Sequence, residues 1–199
     1  MHPDKKPEPG ACPSGWSFAM DRKFCCQEDC NITCSIRKVI LTVTDVPGYL
    51  KRLRSLSTEY GSHIILFNEE MMAGIAHVET ALIHAFRAVA SGTCISSSVE
   101  IEALLYAAGS RQVIEGVKFG LHEGINRAYL CLCPEREIIW SILSKEATLS
   151  SDDWDVFDSA KLSRLISLFN VTPEELAVTG DARLTELVLE RVALLDVYK

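Results

Sequence analysis

Between residues 34 and 92 the hydrophobic period of the chain switches repeatedly between that of a strand and that of a helix, and each switch is punctuated. Residues 34–44 (CSIRKVILTVT) are β-branched and alternating, the pattern of a half-buried strand. Asp45 and Pro47 then open a helix that runs to about Tyr60, with Leu50, Leu53 and Leu56 as its apolar side, and Gly61 closes it. Residues 63–67 (HIILF) form a short buried strand. From Glu69 to about Ala90, Met72, Ile75, Val78, Leu82, Ile83, Phe86 and Val89 recur at helical spacing up to a stop at Gly92. Further on, residues 127–133 (RAYLCLC) form a strand halted by Pro134, and 135–143 suit another helix. Strands interleaved with helices over short connections specify an α/β domain, a small sheet covered by helices.

A chain of 199 residues with 48% hydrophobic content buries a core of its own as one domain. That domain is expected over 34–199. Residues 1–33, rich in Pro, Gly, Cys and charge, are expected to be a flexible extension. Three helices should follow an acidic loop at about 148–158: 160–169; 173–178, with Thr172 and Glu175 as a capping box; and 182–197, capped by Asp181. No apolar run is long enough to span a membrane, and the first residues lack the apolar stretch of a secretory signal. The expected location is cytoplasmic, where cysteines are read as thiols or ligands rather than as disulfides.

Catalytic chemistry is hard to find. Cys12, Cys25, Cys26, Cys30 and Cys34 crowd the entry but lack the paired knuckles of a structural zinc site, so a metal- or redox-responsive role for them is the alternative reading. Cys131 and Cys133 share one strand face as small hydrophobes. His77 and His84 lie on one helix without ligand spacing, Glu69 and Glu70 diverge towards solvent, and there is neither a nucleophile elbow nor a phosphate loop. The chain is therefore expected not to be an enzyme by itself, with no cofactor and no resident metal.

Residues 95–126 are the most densely punctuated stretch. Ser97 with Glu100 has capping-box spacing, Ile101, Leu104, Leu105 and Ala108 mark one helical face, Gly109 closes that helix, and Ser110 opens a second over 111–119. Arg111 falls in the first turn of the second helix, where the dipole disfavours a cation but suits an arginine that receives an anion. The plainer alternative is a solvated arginine folded back onto Glu115. Arg87, Tyr106, Arg111, Gln112, Lys118, His122 and Arg127 together offer guanidiniums, an amide and a ring, the equipment for a single-stranded nucleic-acid end. The net charge of −7 does not oppose this, because the excess acid lies beyond residue 134.

The last helix is apolar around most of its girth, which marks either deep burial or an interface. On the interface reading, charges at Leu187 and Leu195 would release a partner and leave the domain folded.

The run FNEEMMAGIAHVETALIHAFRA, followed by ISSSVEIEALLYAAGSRQVIEGVKFGL, resembles the small KEOPS subunit, the PRPK-binding protein family (Cgi-type), and is closest to archaeal, methanogen-like members. The likeness covers residues 34 to about 134 and, more loosely, 160–197. The Cys-rich extension and the acidic loop depart from it. The resemblance implies an α/β subunit without an active site that binds and stimulates the small atypical kinase/ATPase of KEOPS through its C-terminal helices. Contact with the catalytic subunit would be indirect, through the kinase. The complex makes threonylcarbamoyl adenosine in tRNA, and archaeal members recruit tRNA by its single-stranded CCA 3′ end. Arg111 and Gln112 match the family's Arg-Gln motif, and Leu184, Leu187, Val188, Arg191 and Leu195 match its kinase-binding helix. The cytoplasm would be the site of action.

Overall fold

The β-branched run does become the backbone of a sheet. In the computed structural model, which describes residues 22–25, 33–180 and 183–197, it forms β2 (Thr33–Val43), the longest strand. β2 pairs antiparallel with β4 (Gly124–Cys133), which pairs antiparallel with β3 (His63–Asn68). The other edge of β2 takes two short strands, β1 (Arg22–Cys25) opposite 33–36 and β5 (Ala147–Leu149) opposite 39–41. Both correct the sequence reading: part of the expected extension, and the start of the expected acidic loop, are sheet.

Side chains alternate across this sheet, so each strand feeds two cores. Val39, Leu41, Ile64, Leu66, Leu130 and Leu132 face a layer made of α1 (Val46–Tyr60) and α5 (Glu137–Leu143). Ile36, Ile65, Phe67, Tyr129 and Cys131 face a thicker layer that contains α2 (Ile75–Ser91), α3 (Val99–Ala108) and the C-terminal helices. The molecule is an α/β domain with one sheet covered on both faces. Among the described residues, no helix is long and apolar enough to cross a membrane.

Local chemistry sets most helix ends. Asp45 accepts from the Gly48 N–H at the start of α1, and Thr172 and Glu175 form the reciprocal capping box that opens α7 (Pro173–Thr179). The helix expected from Glu69 instead breaks in two. Asn68 caps a 3₁₀ turn over Glu69–Met71, and α2 starts only after Gly74, whose φ of 82° a side-chain-bearing residue rarely adopts. The cap of α3 is Ser98 rather than Ser97: the Ser98 hydroxyl accepts from Ile101 N–H and donates to Glu100.

The largest correction concerns α8 (Leu184–Leu194). Leu184, Leu187, Val188, Val192 and Leu195 all belong to the core beneath α2 and α3, with Leu184, Val188 and Val192 fully buried. Arg191 is tied to Glu175 of α7 at 2.5 Å. The apolar girth of this helix serves the chain itself, so charges at Leu187 and Leu195 would damage the fold rather than spare it. Asp181, its expected cap, lies outside the described residues.

Cysteine usage is corrected as well. Cys34 and Cys133, at the ends of adjacent strands with Cα atoms 4.4 Å apart, form a disulfide, while Cys131 stays a buried thiol. Cys34 therefore cannot be a thiolate ligand while that bond is intact. Cys12, Cys26 and Cys30 lie outside the described residues, as does the remainder of the extension.

Candidate nucleic-acid interface

The corner that follows α3 carries the candidate site. Gly109 ends α3 with φ of 57°, its N–H bonding back to Leu105 and Tyr106. The Ser110 hydroxyl then accepts from Gln112 N–H, which turns the chain outward. The second helix is shorter than the sequence suggests: α4 spans only Val113–Gly116, and a 3₁₀ turn over Val117–Phe119 follows. One turn of helix supplies little dipole, so the case for Arg111 rests on its own charge and on its neighbours.

Those neighbours are apolar. Arg111 and Gln112 are exposed, and beside them Val113, Ile114 and Val117 are exposed too, Ile114 at 67%. Phe119 turns inward as the anchor, with its ring against His77 and Phe169. Glu115 accepts from Lys118 at 2.7 Å. The corner thus presents a guanidinium, an amide and an apolar strip on one short loop, anchored by a buried ring. The sequence pattern, which suggests one helix over 111–119, does not reveal the apolar strip.

The remaining candidates separate. Arg87 is exposed near the far end of α2. The start of α2 is the end that meets α3's C-terminus, through His77 Nε2 and the Ala107 carbonyl at 3.0 Å. Ten residues of helix place Arg87 about 15 Å along α2 from that junction. Arg127 is engaged elsewhere, with Glu69 at 3.3 Å, Asp152 at 3.1 Å and the face of Trp154. His122 is exposed, with Nδ1 2.8 Å from the Glu123 carbonyl. Tyr106 is not a stacking platform for a base. It is fully buried, stacks on His84 and donates its hydroxyl to Asp196 at the end of α8. Burial, reinforced by that carboxylate, raises its pKa well above the usual phenol range.

Two polar features of the interior and one ion pair at its edge had no sequence signal. Glu69, expected on a solvated face, is buried and accepts from Lys161 at 2.5 Å as well as from Arg127, which neutralises a charge the core would not otherwise tolerate. Glu102 is fully buried and accepts from the N–H groups of Ile95 and Ser96, holding the loop before α3. At the start of α3, Glu100 pairs with His63 at 2.8 Å. Burial works to raise the Glu100 pKa, but the bonds from His63, its own amide and Ser98 outweigh it and hold the pKa at about 2.

Among the described residues, no three His, Cys, Asp or Glu side chains are arranged to hold a metal ion. No family model matches the chain, and no curated protein matches it.

Proposed function

We propose that the chain is a non-catalytic adaptor of the small KEOPS-subunit type, which holds the single-stranded 3′ end of tRNA on the 110–118 corner and a small kinase/ATPase on its C-terminal helices. The observation that carries this reading is the corner itself: exposed Arg111 and Gln112 set beside exposed Val113, Ile114 and Val117. A guanidinium serves a phosphate, an amide serves a base edge, and apolar side chains lie against the faces of unstacked bases. The Arg-Gln wording of the resembling family falls on the same two residues.

With its apolar face consumed by the core, α8 offers a kinase its outward side, where Glu186, Glu190 and Ala193 are exposed and Leu189 is half-buried. The two roles then separate by mutation. In a pull-down with kinase and tRNA, Arg111→Glu loses tRNA and keeps the kinase, and the slope of log affinity against log salt falls by about 0.7 to 1. Ala193→Arg loses the kinase and keeps tRNA. Unchanged tRNA binding by Arg111→Glu removes the corner from the account, and unchanged kinase binding by Ala193→Arg removes the outward face of α8.

A further inference from the structure

Positive charge that nothing neutralises collects on the outer side of α1. This helix packs Leu53, with Tyr49, Leu56 and Tyr60 beside it, against the sheet. Lys51, Arg54, Ser55 and Thr58 therefore fall at i, i+3, i+4 and i+7 on the outward side, and all four are exposed. With Glu59 they line a shallow hollow of about 480 Å³. The two hydroxyls turn inward, Ser55 donating to the Lys51 carbonyl at 3.2 Å and Thr58 to that of Arg54 at 3.0 Å. No apolar side chain lines the hollow.

The neighbouring α5 adds a cation near each of its ends. Arg136 Nε donates to the Tyr60 carbonyl at 3.2 Å, at the close of α1. Lys145 precedes Glu146, which accepts from the Tyr49 hydroxyl at 3.2 Å and pairs with Arg52. Among the described residues, Lys51, Arg54, Arg136 and Lys145 have no carboxylate partner. Arg127, Lys161, Arg164, Arg183 and Arg191, elsewhere on the molecule, all have one.

We propose that this stripe binds the phosphate backbone of an RNA duplex. From Lys51 to the Tyr60 end of α1 the unpaired cations extend over about 14 Å, a line that meets successive phosphates by charge alone. A protein partner would need an apolar patch to bury, and the hollow offers none. Position links the stripe to the 110–118 corner. Phe119 belongs to the core on the α2 side and Leu121 packs on the core of the α1 side, so the chain rounds the β3 edge of the sheet, against which α1 also packs. That the duplex is the arm from which a tRNA 3′ end extends rests on the tRNA reading of this chain. On that reading, backbone contacts position the arm while the corner reads the end.

The test is fluorescence anisotropy of the full chain with a short, labelled, blunt-ended RNA duplex, which has no single-stranded end for the corner. The parent should bind it, and the affinity should fall about 40-fold between about 50 and 200 mM salt, as three phosphate contacts require. Lys51→Gln with Arg54→Gln should bind at least about tenfold more weakly at about 50 mM salt and lose about two units of the salt slope. Arg164→Gln, which removes a paired cation from another surface, should bind like the parent. A parent that prefers tRNA with its CCA but ignores the blunt duplex refutes the stripe alone, and one that holds the duplex without preferring CCA refutes the corner alone. The proposal is overturned by no duplex binding at about 0.1 mM protein, by an unweakened double Gln variant, or by an equal loss in Arg164→Gln. Preference for a DNA duplex over the RNA one, or displacement by polyglutamate as readily as by unlabelled RNA, overturns it as well.

Discussion

Replacing Val188 with Asp unfolds the domain. Val188 is fully buried where α8 packs against α2 and α3, in a cluster of apolar side chains. Stranding a charge there costs several kcal/mol, against a total stability of about 5–15 kcal/mol for a typical domain. Leu184→Ala is the graded version: it removes a fully buried side chain and should cost about 2–5 kcal/mol, read as a fall in the urea midpoint. Ala193→Arg, on the exposed side of the same helix, should leave the midpoint within about 0.5 kcal/mol of the parent. A Val188→Asp protein with an unchanged midpoint would mean that α8 is an arm and not core, and it would return Leu184, Leu187, Val188 and Leu195 to the partner surface.

Acid should weaken the fold through His77. The ring is fully buried, with Nδ1 accepting from Ala73 N–H at 3.0 Å and Nε2–H donating to the Ala107 carbonyl. Protonation of Nδ1 would set its proton against the Ala73 N–H. Burial drives the pKa down from 6.5 to about 3; the Ala107 bond pulls it up, and the Lys161 charge pushes it further down. Because the folded pKa is the lower one, the unfolded chain takes the proton first as the pH falls below 6.5. The contribution is complete above pH 6.5 and is lost at about 1.4 kcal/mol per pH unit towards pH 3. At pH 5 the loss is therefore about 2 kcal/mol. His77→Gln, which keeps a donor and an acceptor but does not titrate, should be less stable at pH 7 and should lose that slope. An unaltered slope in His77→Gln would assign the acid sensitivity to other groups, Glu100 first among them below pH 4.5.

What the sequence made legible was local. Asp45, Thr172 with Glu175, Gly61, Gly92 and Gly109 punctuate the chain where expected, because each needs only residues within one turn of itself. The main strands could be read for the same reason, from their two-residue alternation. Neither β1 nor β5 could be, since three or four residues carry no period and are strands only because the outer edge of β2 accepts them.

Burial was the harder quantity. The spacing of Leu184, Leu187 and Val188 says that α8 has an apolar face but not whether that face meets this chain or another. Tyr106 looked like a stacking ring because nothing in its own helix announces Asp196, ninety residues on. Glu69 looked solvated because Lys161 is equally remote. The Cys34–Cys133 bond joins residues separated by 99 positions, and only the antiparallel register of β2 and β4 brings them opposite. At the candidate site Arg111 and Gln112 were legible, and the exposed apolar strip beside them was not.

The most direct measurement is the affinity of the full chain for one tRNA prepared with and without its 3′ CCA, at fixed salt, for the parent and for Arg111→Glu. The account predicts at least about tenfold tighter binding of the intact tRNA by the parent, and no such preference in Arg111→Glu. Equal affinity of the parent for the two tRNAs, or an intact CCA preference in Arg111→Glu, would contradict it.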